Sequence, residues 1–385
     1  MVRALVLQGP RLLELREFEY PLVQGDDALL RVEACGLCGT DHEQYSGHLF
    51  FGFPFVPGHE SVGVIEVIGD EAAKKWGVHA GDMVAVEVFQ SCRTCRQCAR
   101  GNYRHCERHG VGDSYGFIPV DRHPGLWGGY AQYLYLSPDS MVLPVPHGLD
   151  PVLATLFNPL GAGIRWGAKV PDTGPGDVVA VLGPGIRGLC SLVASREAGA
   201  AFVMVTGHGE RDRSRLEVAR RFGADLVVDA AEEDPVASLR HAAGRGADIV
   251  VDVTAKAPDA FEQALRLARP EGTVVVAGTR GNHVPDLNVD LIVYKELRVL
   301  GALGVDVDAY RAALELLASE KYPFDEIERR TAGFEEIGDM LQDMSVGSFT
   351  PRPVDEGQEP PELDLLAVGD QRAGRSRGRD LGPVD

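Results

Sequence analysis

Four cysteines fall within fifteen residues of one another, at Cys92, Cys95, Cys98 and Cys106. Their spacing is C-x2-C-x2-C-x7-C. Gaps of two residues let neighbouring thiolates turn onto one ion, and the longer gap lets a small lobe wrap round with the fourth. Four sulfur ligands with no open position describe a structural zinc site, whose work is local folding. The competing reading is an iron–sulfur cluster. A bacterial ferredoxin run, however, closes with a three-residue gap followed by Pro, whereas here the last gap is seven and Glu107 follows.

A second constellation lies upstream. Cys35-Gly36-Leu37-Cys38-Gly39-Thr40-Asp41 precedes Pro57-Gly58-His59-Glu60-Ser61-Val62-Gly63 by about twenty residues. One thiolate, one imidazole and one carboxylate from these segments can hold a metal and leave a position free, which a catalytic zinc requires. A single Cys and a single His, taken alone, are more often structural.

A third is Gly183-Pro184-Gly185-Ile186-Arg187-Gly188, between the apolar run 177–182 and a helix expected from Leu189 to about Ala198. In a strand–turn–helix setting, G-x-G-x-x-G gives a tight turn, close approach of a pyrophosphate and close helix–strand packing. About twenty residues further on, NAD enzymes place an acid for the ribose hydroxyl. Here Thr206-Gly207-His208-Gly209-Glu210-Arg211-Asp212-Arg213 puts Gly207 at that point, with basic groups following. The missing carboxylate favours NADP over NAD, while Glu210 and Asp212 keep NAD open. The expected coenzyme residues are Gly183, Gly185, Ile186, Arg187, Gly188, Gly207, His208 and Arg211.

The elements that must position these groups follow two grammars. Residues 1–150 carry short alternating or apolar runs, such as 28–33, 63–68 and 82–86, separated by Gly, Pro and Asp. That punctuation predicts an all-β, barrel-like domain. From about 152, apolar strands at 177–182, 201–205, 249–253 and 273–277 alternate with helix-like stretches, which predicts an α/β unit with a doubly wound parallel sheet. Residues 308–319 and 334–344 read as helices. Beyond 350 the composition turns to Pro, Gly, Asp, Glu and Arg, with one apolar island at Leu363–Val368, and 351–385 reads as a disordered tail.

The chain has 385 residues, 44% of them hydrophobic, which suggests two domains with real cores. Its formal charge of −19 argues against nucleic acid or an anionic membrane surface as partner. The N-terminus has no apolar stretch long enough for a signal peptide, and no run approaches a membrane span. A cytoplasmic location is expected, where clustered thiols mean metal more often than disulfide. The remaining thiols, Cys35 and Cys190, read as buried and inert.

Gly58-His59-Glu60-x2-Gly63-x5-Gly69, with Cys38-Gly39-Thr40-Asp41 upstream and the four-cysteine lobe downstream, resembles the zinc-dependent medium-chain alcohol dehydrogenase family. The resemblance runs from residue 1 to about 345. It implies a GroES-like β-barrel catalytic domain made of 1–151 and 306–350, and a Rossmann coenzyme domain over 152–305. It implies one catalytic and one structural zinc per chain, NAD(P) as coenzyme, and homodimers or homotetramers. Cys38 and His59 correspond to catalytic zinc ligands, and Glu60 to a carboxylate that approaches or binds the metal. Asp41 corresponds to the acceptor that orients His59, and Thr40 to the hydroxyl that takes the alcohol proton. The segment Leu126–Tyr133 resembles the family's Gly-Gly-Tyr/Phe-Ala strand, a structural feature.

Two departures stand out. Where the family usually supplies a third ligand as Cys, Asp or Glu, this chain has Phe157-Asn158-Pro159-Leu160-Gly161. A neutral amide is a poor zinc ligand, so the expected set is Cys38, His59 and Glu60 with Asn158 near or bridged by water. The alternative is that Asn158 caps a helix. Many members also have a His five residues after the Cys ligand; here Glu43 is there and His42 precedes it, and either or neither relays protons.

Phe50, Phe51, Phe53 and Phe55 lie where the family builds part of its substrate wall. With Phe89 and Trp127 they hint at an apolar alcohol, aldehyde or ketone. The reading is therefore an alcohol oxidoreductase. A zinc-independent NADPH enone or quinone reductase on the same fold is the alternative, and a non-enzymatic nucleotide-binding protein a remote one.

Overall fold

The structure, a computed structural model, describes residues 1–49, 52–255, 257, 259–279, 287–346 and the backbone of 362–368. The N-terminal strands Val2–Gly9 and Leu12–Phe18 form a hairpin. The main antiparallel sheet is built round Ala28–Leu37, which pairs with Glu60–Ile68 along almost its whole length and with Tyr133–Leu136 over its first half. Glu60–Ile68 continues through Met83–Val86 to Val142–Pro144. Both faces of this strand pair are largely covered: Leu29 is buried as fully as Ala28 and Leu30, and Val62 lies in one core cluster while Ile65 lies in another.

The register of this pair places the metal-site residues. Gly36 lies opposite Glu60 and Cys35 opposite Ser61, so Cys38 follows the end of one strand as His59 precedes the start of its neighbour.

The second unit is a six-stranded parallel sheet. Its spatial order is Leu226–Asp229, Phe202–Gly207, Val178–Leu182, Ala247–Asp252, Ala268–Val276 and Arg298–Gly301. In sequence terms that is 3-2-1-4-5-6, the doubly wound dinucleotide-binding order. Buried on both faces, the central strand Val178–Leu182 is a continuous apolar run, and Ala247–Asp252 is buried throughout. The order reverses beside Val178–Leu182, and the glycine turn follows that strand.

The helix Phe157–Ile164 sits between the two units. Its core cluster joins Val62, Ala85 and Leu143 of the antiparallel sheet to Val179, Val181 and Leu189 of the parallel unit. The expected C-terminal helices appear as Val307–Ala318 and Ile337–Val346.

One expectation needs correction. Glu362–Val368, inside the segment predicted as a disordered tail, is a strand. It runs antiparallel to Ala28–Leu37, with Leu366 opposite Leu37 and Val368 opposite Cys35, and parallel to Glu328–Ala332. The apolar island is long enough to pair its backbone with an open sheet edge, and mean composition over 35 residues conceals it. The other residues of 351–385 lie outside those described.

Candidate active site and coenzyme site

Cys38 ends the strand Ala28–Leu37 and precedes the short helix Gly39–Tyr45. Its N–H donates to Oδ2 of Asp41 at 2.9 Å, which fixes the turn. His59 arrives from the neighbouring segment after Gly58, whose φ of 90° lies in the left-handed region. The Gly128-Gly129-Tyr130 stretch holds that approach: Gly129 N–H donates to Gly58 O at 2.8 Å and Tyr130 N–H to Pro57 O at 3.0 Å. Its role is structural.

Nε2 of His59 lies 3.2 Å from Sγ of Cys38, and Nδ1 lies 3.4 Å from Oδ1 of Asp41. Cys38, His59 and Glu60 each present one ligand atom within 4.8 Å of the others. His59 is held well above its ordinary range. Burial opposes the charge, but the Cys38 sulfur and the Asp41 carboxylate beside it overcome that opposition. Burial pushes Asp41 up, yet His59 and the Cys38 N–H bring it below the usual carboxylate value. Burial raises Glu60 in spite of His59 and Arg187. The donor chemistry fits zinc: a thiolate, an imidazole whose second nitrogen faces a carboxylate, and a Glu60 Oε1 that is buried without a hydrogen-bond partner among the described residues.

Asn158 does not cap its helix. It is the second residue of Phe157–Ile164, whose N-cap is Leu156. Buried, it donates Nδ2–H to the Tyr310 hydroxyl at 3.0 Å. His42 faces away from Cys38: Nδ1 lies 3.0 Å from Leu341 O and Nε2 3.3 Å from Ser46 Oγ. Glu43 lies 3.6 Å from His48. Thr40, two residues after Cys38 and second in the helix Gly39–Tyr45, is partly exposed.

The aromatic expectations divide. Phe55 is core and Phe53 stacks on it at 5.6 Å. Trp127 is buried between Tyr115 and Tyr135, with Nε1–H donated to Arg122 O. Phe89 packs on Val88 and Tyr103. Trp127 and Phe89 are therefore core residues rather than wall, because their rings are enclosed on the faces a substrate would need. Phe50 and Phe51 lie outside the described residues. The ring beside the metal ligands is Phe117, 6.0 Å from His59. No sequence signal singled it out, since it stands in a loop beyond the cysteine lobe.

In that lobe all four thiols lie within 4.8 Å of one another. Cys92 and Cys98 sulfurs are 3.8 Å apart, and a tetrahedron with Zn–S near 2.3 Å has edges of about 3.8 Å. The N–H groups of Cys95 and Thr94 lower Cys92 to about 5, and those of Cys98 and Glu107 lower Cys95. Burial raises Cys98 to about 12, so Cys92 and Cys95 are the two thiols the backbone prepares as thiolates, and the four-sulfur geometry is what suits a closed metal site. Cys35 and Cys190 are fully buried, and burial pushes both thiols up.

The glycine turn fits a dinucleotide. Gly183 has φ of 101°, and a Cβ on Gly188 would collide with the Gly183 carbonyl. Gly185 faces open space, where a pyrophosphate needs the backbone. Ile186 and Arg187 open the helix Ile186–Glu197, whose first N–H groups favour an anion. The Arg187 side chain, however, leaves the turn and reaches Glu60 across the cleft. Beyond Gly207, His208 N–H donates to Asp212 at 3.0 Å. Arg213 pairs with Glu210 and Arg215 with Asp212. Arg211 is exposed.

A dinucleotide fold set against a thiolate–imidazole–carboxylate site defines a zinc- and nucleotide-dependent oxidoreductase. The chain matches the alcohol dehydrogenase GroES-like domain over residues 24–147 and the zinc-binding dehydrogenase domain over 188–319. It is 65% identical over 347 residues to a Mycobacterium tuberculosis protein named as an alcohol dehydrogenase, covering 90% of this chain and 95% of the relative. It is 31% identical to an erythritol/L-threitol dehydrogenase of Mycolicibacterium smegmatis, covering 85% and 89%. Among solved structures, it resembles a zinc-binding dehydrogenase from Sinorhizobium meliloti bound to NADP, with 26% identity, a TM-score of 0.78 and coverage of 96% and 99%. It also resembles an alcohol dehydrogenase from Thermus sp. ATN1, with 26% identity, a TM-score of 0.77 and coverage of 95% and 99%. The chain belongs to the zinc-dependent medium-chain alcohol dehydrogenase family, and it is an oxidoreductase acting on alcohols with zinc and NAD(P).

Proposed function

We propose that Cys38, His59 and Glu60 hold the catalytic zinc, that Asp41 orients His59, and that Thr40 takes the alcohol proton. The observation that carries this reading is the His59 ring, directed to Cys38 through Nε2 and to Asp41 through Nδ1. When bound, zinc supplies a Lewis acid for the substrate oxygen and the nicotinamide a hydride acceptor or donor. The chain's own part is to orient and to exclude water. Asp41 sets the imidazole tautomer, the Phe117 ring beside His59 gives the site an apolar side, and Thr40 offers a hydroxyl one helical step from Cys38. Phe117, as buried as Phe89 but beside His59, is the aromatic that supports an apolar substrate.

NADP is the proposed coenzyme. Gly207 ends its strand without a carboxylate, and His208 and Arg211 follow it, while Arg213 and Arg215 pair with acids of their own helix. Cys92, Cys95, Cys98 and Cys106 hold the structural zinc. A homodimer is proposed through the sheet edge Arg298–Gly301, where Val293, Tyr294, Val299 and Leu303 are exposed. No helix among the described residues is long and apolar enough to cross a membrane, and a cytoplasmic location, where thiols stay reduced, is part of the proposal.

Cys38→Ser tests the assignment. The variant should fold, retain one zinc and lose coenzyme-linked alcohol oxidation; turnover near that of the wild type contradicts it.

A further inference from the structure

Arg187 is rooted in the coenzyme unit, as the second residue of the helix that follows the glycine turn. Its side chain ends at the metal site. Nη2 lies 3.7 Å from Oε1 of Glu60, and the guanidinium stands over Trp166, 5.3 Å from the ring centroid. Trp166 is itself pinned, donating Nε1–H to Gly304 O at 3.0 Å. Stacking on a fixed indole sets where the charge sits. The same Glu60 carboxylate belongs to the Cys38–His59–Glu60 cluster. One carboxylate therefore faces two claims, a guanidinium and a divalent ion. Asn158, at the place where an anionic third ligand would stand, has its amide N–H engaged by Tyr310. Glu60 is thus the anion whose position decides whether the metal has two protein ligands or three.

We propose that Arg187 is a positioning residue that competes with the catalytic zinc for Glu60 and so couples the coenzyme turn to metal ligation. The inference rests on Cys38, His59 and Glu60 forming the catalytic zinc site. With Arg187 in place, Glu60 is a weakly held third ligand. Without it, the carboxylate is left to the metal and binds it more tightly, the fourth position staying open to substrate in either case. Because the backbone of Arg187 lies in the pyrophosphate turn, coenzyme binding and zinc retention influence each other reciprocally.

The test is the release of zinc from the holoenzyme to a chromogenic chelator, with and without NADP. It uses Arg187→Gln, Arg187→Lys, Glu60→Gln and the double variant Arg187→Gln/Glu60→Gln. Outer-shell partners change metal affinity about 10- to 100-fold. Arg187→Gln should release the catalytic zinc at least about tenfold more slowly than the wild type. Arg187→Lys should return toward wild type, and the double variant should match Glu60→Gln. NADP should alter release in the wild type and not in Glu60→Gln. Two zinc ions per chain with unchanged release in Arg187→Gln, or slow release that persists in the double variant, overturns the inference alone. A wild type that holds only the lobe zinc overturns the catalytic-zinc assignment and this inference with it.

Discussion

Nδ1 of His59 stands 3.4 Å from Oδ1 of Asp41, and this pairing turns the opposite ring nitrogen toward Cys38. A ligand imidazole whose second nitrogen faces a carboxylate is steered in tautomer and angle, and here the two meet at ion-pair distance. Asp41→Asn keeps the shape and removes the charge. Zinc affinity at this site should fall about 10- to 100-fold, the usual cost of losing such a partner. Competition with a chelator measures it, with circular dichroism to show that the fold survives.

The lobe answers to different residues. Cys106→Ser should lose one zinc and keep the other, because the Cys38 cluster shares no ligand with it. The melting temperature should drop by roughly 5 °C or more, on a scale of about 2–4 °C per kcal/mol for a domain of this size. Zinc counting and calorimetry check both halves; loss of both metals contradicts the separation.

Coenzyme choice should depend on Arg211. A hydrogen bond to a charged group contributes about 1.5–3 kcal/mol, so Arg211→Ala should lower kcat/KM for NADPH about 10- to 100-fold. The value for NADH should change little. Equal losses with both coenzymes would place Arg211 elsewhere than at the 2′-phosphate.

Glu87 gives a pH signature. It is fully buried, accepts from the Tyr103 hydroxyl at 2.7 Å and the Phe89 N–H at 3.1 Å, and burial raises it to about 8 in spite of these bonds and of Arg104 nearby. The folded chain therefore keeps a proton that the unfolded chain, with a carboxyl near 4.5, has released. Stability that depends on this proton is fully present below about pH 4.5 and declines as pH rises toward 8. Glu87→Gln should flatten that decline. Thermal melts of both proteins across pH 5–9 measure it, and parallel curves contradict the assignment.

What could be read from sequence was whatever depends on residue type at a fixed spacing. The four thiols meet one another, Cys38 meets His59, and the glycine turn forms, because each motif specifies a backbone shape. Side-chain directions were less legible. The glycine motif says where the Arg187 N–H stands, but the path of its side chain to Glu60 depends on Trp166, distant in sequence. Phe89 and Trp127 were read as substrate wall because aromatic content alone cannot distinguish a ring facing a cleft from one enclosed by neighbours. Phe117 was missed for the converse reason. Asn158 suits a cap by type, yet the helix starts one residue before it. The strand Glu362–Val368 was hidden because its pairing partners are about 30 and 330 residues away.

The central claim is that a zinc ion held by Cys38, His59 and Glu60 is required for alcohol turnover. Its most direct measurement is coenzyme-linked alcohol oxidation followed against zinc content during chelation. Activity should fall in proportion to the loss of one of two zinc ions per chain, and added zinc should restore it. Alcohol oxidation that persists after that zinc is gone, or enone reduction that chelation leaves unchanged, would contradict the account.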